Sequence, residues 1–190
     1  RYVSFVVEDS LHVALVDGSE PAKVLLQGDG NTVTWGSAEF VAAEEMRRSR
    51  GHWWDPNNDR LLVARVDVAD VNLWHISAPD DPAKSPQTVR YPAAGTSNAD
   101  VALWLVNVPD ASQIEVTWDR STHPYLVDVR WEDGSPLTVT VQSRDQRSMW
   151  VLEVEASSGD TNPVLALDDP DWVEIIPGTP RKWNGGWLTI

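Results

Sequence analysis

Turn signals recur along this chain between short segments of strand-forming residues. Asp17-Gly18, Gly28-Asp29-Gly30, Glu132-Asp133-Gly134 and Ser157-Ser158-Gly159-Asp160 punctuate it, and the segments between them are rich in Val, Leu and Trp. An Asp-Gly pair between apolar segments is the signature of a tight antiparallel hairpin, because its backbone twist matches that of the flanking strands. Strands are expected at 1–7, 11–16, 23–26, 60–66, 73–77, 88–91, 101–108, 113–117, 125–131, 137–142, 148–155, 164–167, 172–176 and 186–190. About a dozen or more short strands, roughly 8–12 residues apart, restrict the fold to an all-β sandwich or propeller.

One stretch breaks the rhythm. WGSAEFVAAEEMRRSRGHWWDPNND, from Trp35 to Asp59, carries an Ala-rich, helix-forming segment where the next strand is due. Ser37 is placed to cap a helix, Glu39 suits the positive helix end, and Arg47, Arg48 and Arg50 suit the negative one. Gly51 fits a left-handed residue that ends the helix. The expectation is a helical insertion over 37–50, about fourteen residues, too short to stand alone and therefore docked on the strands.

Repeated motifs tilt the choice towards a propeller. Trp54-x-Pro leads into the buried strand Arg60-Leu61-Leu62-Val63-Ala64, with weaker echoes at Trp131-Glu132-Asp133-Gly134 and Trp183-Asn184-Gly185-Gly186. Their separations suit blade-length repeats once inserted loops are allowed for. The eleven tryptophans are spread evenly, which favours repeated packing units over a single sugar-binding platform. A Trp-rich carbohydrate-binding β domain stays as an alternative. The strands suffice for about three to four antiparallel blades, and a propeller must close its ring to protect its edges. A partial propeller is therefore expected over 1–190, with open edges that favour a homo-oligomer.

Charge and composition exclude several functions. The net charge is −14, which argues against nucleic acid and anionic membrane surfaces as partners. No apolar run approaches the ~18 residues of a membrane span; the sequence leaves the compartment open, with a soluble, cytoplasmic chain only slightly favoured. Without cysteine there is no disulfide, thiolate nucleophile or Cys-based metal site. Asp55-x-Asn57-x-Asp59 begins like a calcium loop, but Arg60 and Val66 stand where Gly and Glu are required, so the segment reads as a turn. His12, His52, His75 and His123 lack metal-ligand spacing. No G-x-S-x-G elbow is present: Gly36-Ser37, Gly134-Ser135 and Ser158-Gly159 all fail the pattern. Neither a catalytic residue, a metal nor a cofactor is expected in this chain.

Glu44 and Glu45 remain. As a solvated helix face, Glu44 would pair with Arg48 at i,i+4 for about 0.3–0.5 kcal/mol. As a cation anchor, two carboxylates would accept two of the three ammonium donors. Adjacent helix residues point about 100° apart, so convergence on one amine requires the helix to break there.

The run AEFVAAEEMRRSRGHWWDPNNDRLLVARVD, 38–67, resembles the N-terminal propeller of dipeptidyl peptidase IV-type serine peptidases of the prolyl oligopeptidase (S9) superfamily, especially bacterial members. VRYPAAGTSNADVALWLVNV, WEDGSPLTVTVQSRDQRSMWVLEV and DPDWVEIIPGTP are similar to the same family, so the likeness spans essentially the whole chain. The resemblance implies an eight-bladed propeller capping an α/β-hydrolase domain that carries the triad and is absent from this chain. It also implies that Glu44 and Glu45, on the insertion 37–51, hold the free N-terminal amine of a peptide whose N-terminal dipeptide is released. The partners implied are peptides with a free N-terminus and the missing hydrolase domain. The arginines after the pair make a more basic run than the family pattern. A non-catalytic propeller interaction module is the other alternative.

Overall fold

The computed structural model describes residues 1–189. Three antiparallel sheets follow one another along the chain. The first holds β1 (Tyr2–Val7), β2 (Ser10–Leu15) and β3 (Lys23–Leu26), in that order. The second is built on β6 (Arg60–Asp67), which pairs along its full length with β9 (Asp100–Asn107), itself edged by β10 (Gln113–Val116). β4 (Val33–Trp35) and β5 (His52–Trp54) lie end to end on the other edge of β6. The third sheet is a meander of β11 (Tyr125–Arg130), β12 (Thr138–Gln142), β13 (Ser148–Val154) and β14 (Thr161–Asp168).

Two hairpins stand apart from these sheets. β7 (Leu73–Ile76) pairs with β8 (Gln87–Arg90), and β15 (Arg181–Trp183) with β16 (Gly186–Leu188). The segment 172–176, expected as a strand, has no ladder partner and runs as irregular chain. The strand expected at 186–190 is β16 as far as Leu188, and Ile190 lies outside the described residues. β4, β5 and β15, each three residues long, were not among the expected strands.

Period-two alternation in β6 explains how the sheets stack. Leu61 and Val63 face the first sheet and pack with Leu11, Val13, Leu25, Leu26, Val106 and Val108. Leu62, Ala64 and Val66 face the opposite way, into a core shared with Leu103, Leu105, Leu126, Val139, Val141 and Leu152. The second sheet is therefore buried on both faces, as an internal blade must be, and β6 reads as a continuous apolar run for that reason. Burying a Leu or Val side chain in such a core contributes about 1.5–3 kcal/mol against leaving it exposed.

The expected insertion is present, but its helix is short. α1 spans Phe40–Glu44, five residues. Its cap is Glu39, not Ser37: the Glu39 carboxylate accepts hydrogen bonds from the backbone N–H groups of Val41 (2.5 Å) and Ala42 (2.8 Å). Burial pushes the Glu39 carboxyl up, against the effect of those two N–H groups and the field of Arg48. Arg47, at φ 56, and not Gly51, is the left-handed residue after the helix, and the turn lets the Arg48 N–H donate to the Ala42 carbonyl at 2.9 Å. Gly51 is a glycine for a different reason, close approach: a Cβ there would lie 2.4 Å from the Ser37 carbonyl group.

Candidate functional site

The insertion leaves an edge strand at one point and returns to it at the same point. Trp35 pairs with Arg65, and His52 pairs with Val63. Between them, both sides of the insertion bond Ala64: its carbonyl accepts from the Gly36 N–H (2.9 Å) and its N–H donates to the Gly51 carbonyl (2.7 Å). An isolated antiparallel bridge from Ser37 to Arg50 closes the neck. His52 seals it from the side, its Nδ1 2.8 Å from the Gly36 carbonyl. A carbonyl only accepts, so Nδ1 carries a proton. Burial pushes the His52 imidazole down, favouring the neutral ring, against that hydrogen bond.

From this neck the insertion reaches across to the third sheet. Val41 and Met46 pack on Val127 of β11, with Tyr125 and Ile175 at the margin. Arg48 adds a polar attachment. Its Nε donates to the Leu126 carbonyl at 3.1 Å and its Nη1 to the Arg50 carbonyl at 2.7 Å, while the guanidinium lies 5.9 Å from the Trp53 ring centroid. Burial lowers its pKa, and the fields of Glu39 and Asp128 oppose that shift. The i,i+4 pair expected between Glu44 and Arg48 does not form, because Arg48 is turned inward and buried while Glu44 is exposed.

Glu44 is the last helical residue and Glu45 is its cap. Both are exposed, and among the described residues neither takes part in an ion pair. Among the described residues none of the three arginines pairs with these carboxylates: Arg48 is engaged inward, Arg50 donates to the His52 carbonyl at 2.8 Å, and Arg47 is exposed on the left-handed turn. Glu45 lines a cleft of about 560 Å³ between the insertion, β11 and the segment 174–179. Its walls include Trp53, Trp54, Arg130, Trp131 and Ile175. Glu44 is not part of that lining and stands on the neighbouring exposed surface.

Sequence reasoning missed Arg48 as the attachment of the insertion and missed the cleft wall at 174–179. The signal for the neck was available: Trp35-Gly36 and Gly51-His52 flank the insertion symmetrically. Asp55 forms the expected turn, its Oδ1 accepting from the N–H groups of Asp59 (2.9 Å) and Arg60 (3.0 Å). The exposed tryptophans Trp74, Trp172 and Trp183 lie on separate segments of the chain.

The family model for the dipeptidyl peptidase IV N-terminal region matches residues 1–184. The chain belongs to that family. Dipeptidyl peptidase 8 of Mus musculus and of Homo sapiens are each 32% identical over 72 residues, covering 33% of this chain and 8% of theirs. Dipeptidyl peptidase 4 of Porphyromonas gingivalis superposes with a TM-score of 0.80 at 24% identity, over 90% of this chain and 25% of that one. A Bacteroides ovatus relative superposes at 0.75 and 20% identity, over 92% of this chain and 24% of that one. At these identities the structural likeness establishes the fold, a partial antiparallel propeller, and the chain spans about a quarter of the structural relatives' length or less. The sandwich is thereby set aside. No described helix is long and apolar enough to cross a membrane.

Proposed function

We propose that this chain is the substrate-anchoring part of a serine dipeptidyl peptidase, in which Glu44 and Glu45 hold the free N-terminal amine of a peptide. The observation that carries the reading is the placement of the pair at a helix end beside a cleft. α1 ends at Glu44 and Glu45 caps it, on the rim of a cleft large enough for a short peptide segment. Both carboxylates are exposed and unpaired among the described residues, so an incoming ammonium displaces water and no protein cation. Fixing the amine at the rim sets a ruler: the length of chain between the amine and the nucleophile decides which bond is cut. A blocked N-terminus brings no cation and leaves the carboxylates unmatched, which makes the pair a filter. Catalysis itself belongs to an α/β-hydrolase domain of the same protein. The exposed apolar face of β1, with Val3, Phe5 and Val7, supports an association that covers it, either by further blades or by a second copy.

The full-length gene product tests this. It is expected to release dipeptides from H-Xaa-Pro substrates. Glu44→Gln and Glu45→Gln should each raise KM and lower kcat/KM by tenfold or more, since a charge-assisted hydrogen bond is worth about 1.5–3 kcal/mol. N-acetylated substrates should be poor in the wild type. Wild-type kinetics in both variants, or no dipeptidyl peptidase activity in the full-length protein, would overturn the reading.

A further inference from the structure

Arg48 occupies an uneconomical position. It is 7% exposed, yet its Nη2 has no hydrogen-bond acceptor and among the described residues no carboxylate lies within ion-pair distance. A buried cation in that state gains less than an apolar side chain of similar volume would gain in its place. The insertion already docks through Val41 and Met46 on Val127. Stability therefore does not account for an arginine at this position.

Geometry does. The guanidinium joins three pieces of backbone. Arg48 itself follows α1, the Arg50 carbonyl belongs to the returning limb of the insertion, and the Leu126 carbonyl belongs to β11, 78 residues along the chain. The face of Trp53 on β5 lies alongside, so the neck also bears on it. A rigid fork donates in fixed directions, and an ammonium on a flexible stem does not. Glu45 stands three residues before Arg48, on the limb this fork immobilises.

We propose that Arg48 is a positioning residue for the acidic pair: it holds the limb 45–50 against β11, and so keeps Glu45 on the cleft rim. This rests on the amine-anchoring role given above. Arg48 is buried and engaged with backbone carbonyls, and its effect passes through the carboxylates. An amine held equally in ground and transition states is lost as binding, so a displaced pair raises KM with little change in kcat.

The test uses the full-length gene product and an H-Xaa-Pro chromogenic substrate, with R48M, R48K, E45Q and the double variant E45Q/R48M. R48M should raise KM about tenfold while kcat changes less than about twofold. R48K should recover only part of that loss, because one ammonium does not span both carbonyls in the fork geometry. In the E45Q background R48M should add less than about twofold, the non-additivity expected when one residue acts through another. A wild-type KM in R48M, full recovery in R48K, or an independent additive penalty in the double variant would each overturn the proposal. A lowered Tm together with that additive penalty would make Arg48 a structural residue only. If R48M fails to fold, R48K alone and in the E45Q background gives the same comparison. An impaired E45Q beside an unimpaired R48M removes the positioning role and leaves the amine anchor standing. Wild-type kinetics in both E44Q and E45Q remove the anchor itself.

Discussion

Gly51→Ala should damage the neck of the insertion. A Cβ at Gly51 would lie 2.4 Å from the carbonyl carbon and oxygen of Ser37 and 2.5 Å from the carbonyl carbon of Gly36. Those atoms are backbone, so no rotamer relieves the clash, and the contacts must open past 3.0 Å by moving one limb of the neck. Both limbs are held on Ala64, through the Gly36 N–H at 2.9 Å and the Gly51 carbonyl at 2.7 Å. Overpacking of this kind costs about 1–3 kcal/mol. Losing the Ala64 hydrogen bond leaves a buried N–H unpartnered, for about another 1–3 kcal/mol. Reduced freedom in the unfolded chain returns about 0.4–1 kcal/mol. The net expectation is a loss of about 1–5.6 kcal/mol in urea denaturation followed by tryptophan fluorescence. Gly95→Ala is the control. Its Cβ meets nothing within 4 Å, but its φ is +81, so only the left-handed penalty applies, about 1–2 kcal/mol. A Gly51→Ala protein within about 0.5 kcal/mol of wild type would refute the assignment of both limbs to Ala64, because only a relaxed neck absorbs such a clash.

Leu62→Ala, at a fully buried site in the core between the second and third sheets, should cost about 3–4 kcal/mol by urea denaturation. Val3→Ala, on the exposed face of β1, should stay within about 0.5 kcal/mol. Asp29 accepts from the N–H groups of Val33, Asn31 and Thr32, which hold its carboxyl down from 3.8 to about 2. In the window between those values the unfolded chain binds the proton more readily, so the contribution of Asp29 is complete above pH 3.8 and is lost as pH falls towards 2. Asp29→Asn keeps an acceptor without a titrating charge, and urea midpoints measured across that acid limb should fall less steeply in the variant than in the wild type.

The parts of this molecule that were legible in its sequence are those set by near neighbours. Asp17-Gly18 and Glu132-Asp133-Gly134 mark turns because their backbone preferences are local, and Gly18 and Gly134 do adopt φ of 68 and 71. The apolar run from Leu61 to Ala64 reads as a buried strand because each face of β6 meets a different core. Arg48 was illegible for the opposite reason. Its partners are a carbonyl on β11 and one on the returning limb, and no local pattern separates an arginine facing Leu126 from one facing water.

The helix shows the same divide, and it bears on function. Ala-rich composition favours continuing from Phe40 through the arginines, and about fourteen residues of helix would put their ends about 20 Å apart. Gly36 and Gly51 forbid that, since both bond the single residue Ala64 and the chain must come back to where it left. The helix therefore ends after five residues, and the return begins at the left-handed Arg47. Where it ends is where the acidic pair sits. Glu45 keeps right-handed helical dihedrals (φ −96, ψ −36), so the two carboxylates still leave the backbone about 100° apart. At a helix end, Glu45 belongs to the cap and the cleft, while Glu44 belongs to the last turn. The closure of the neck, a long-range constraint, thus fixes where the helix ends and where the acidic pair stands.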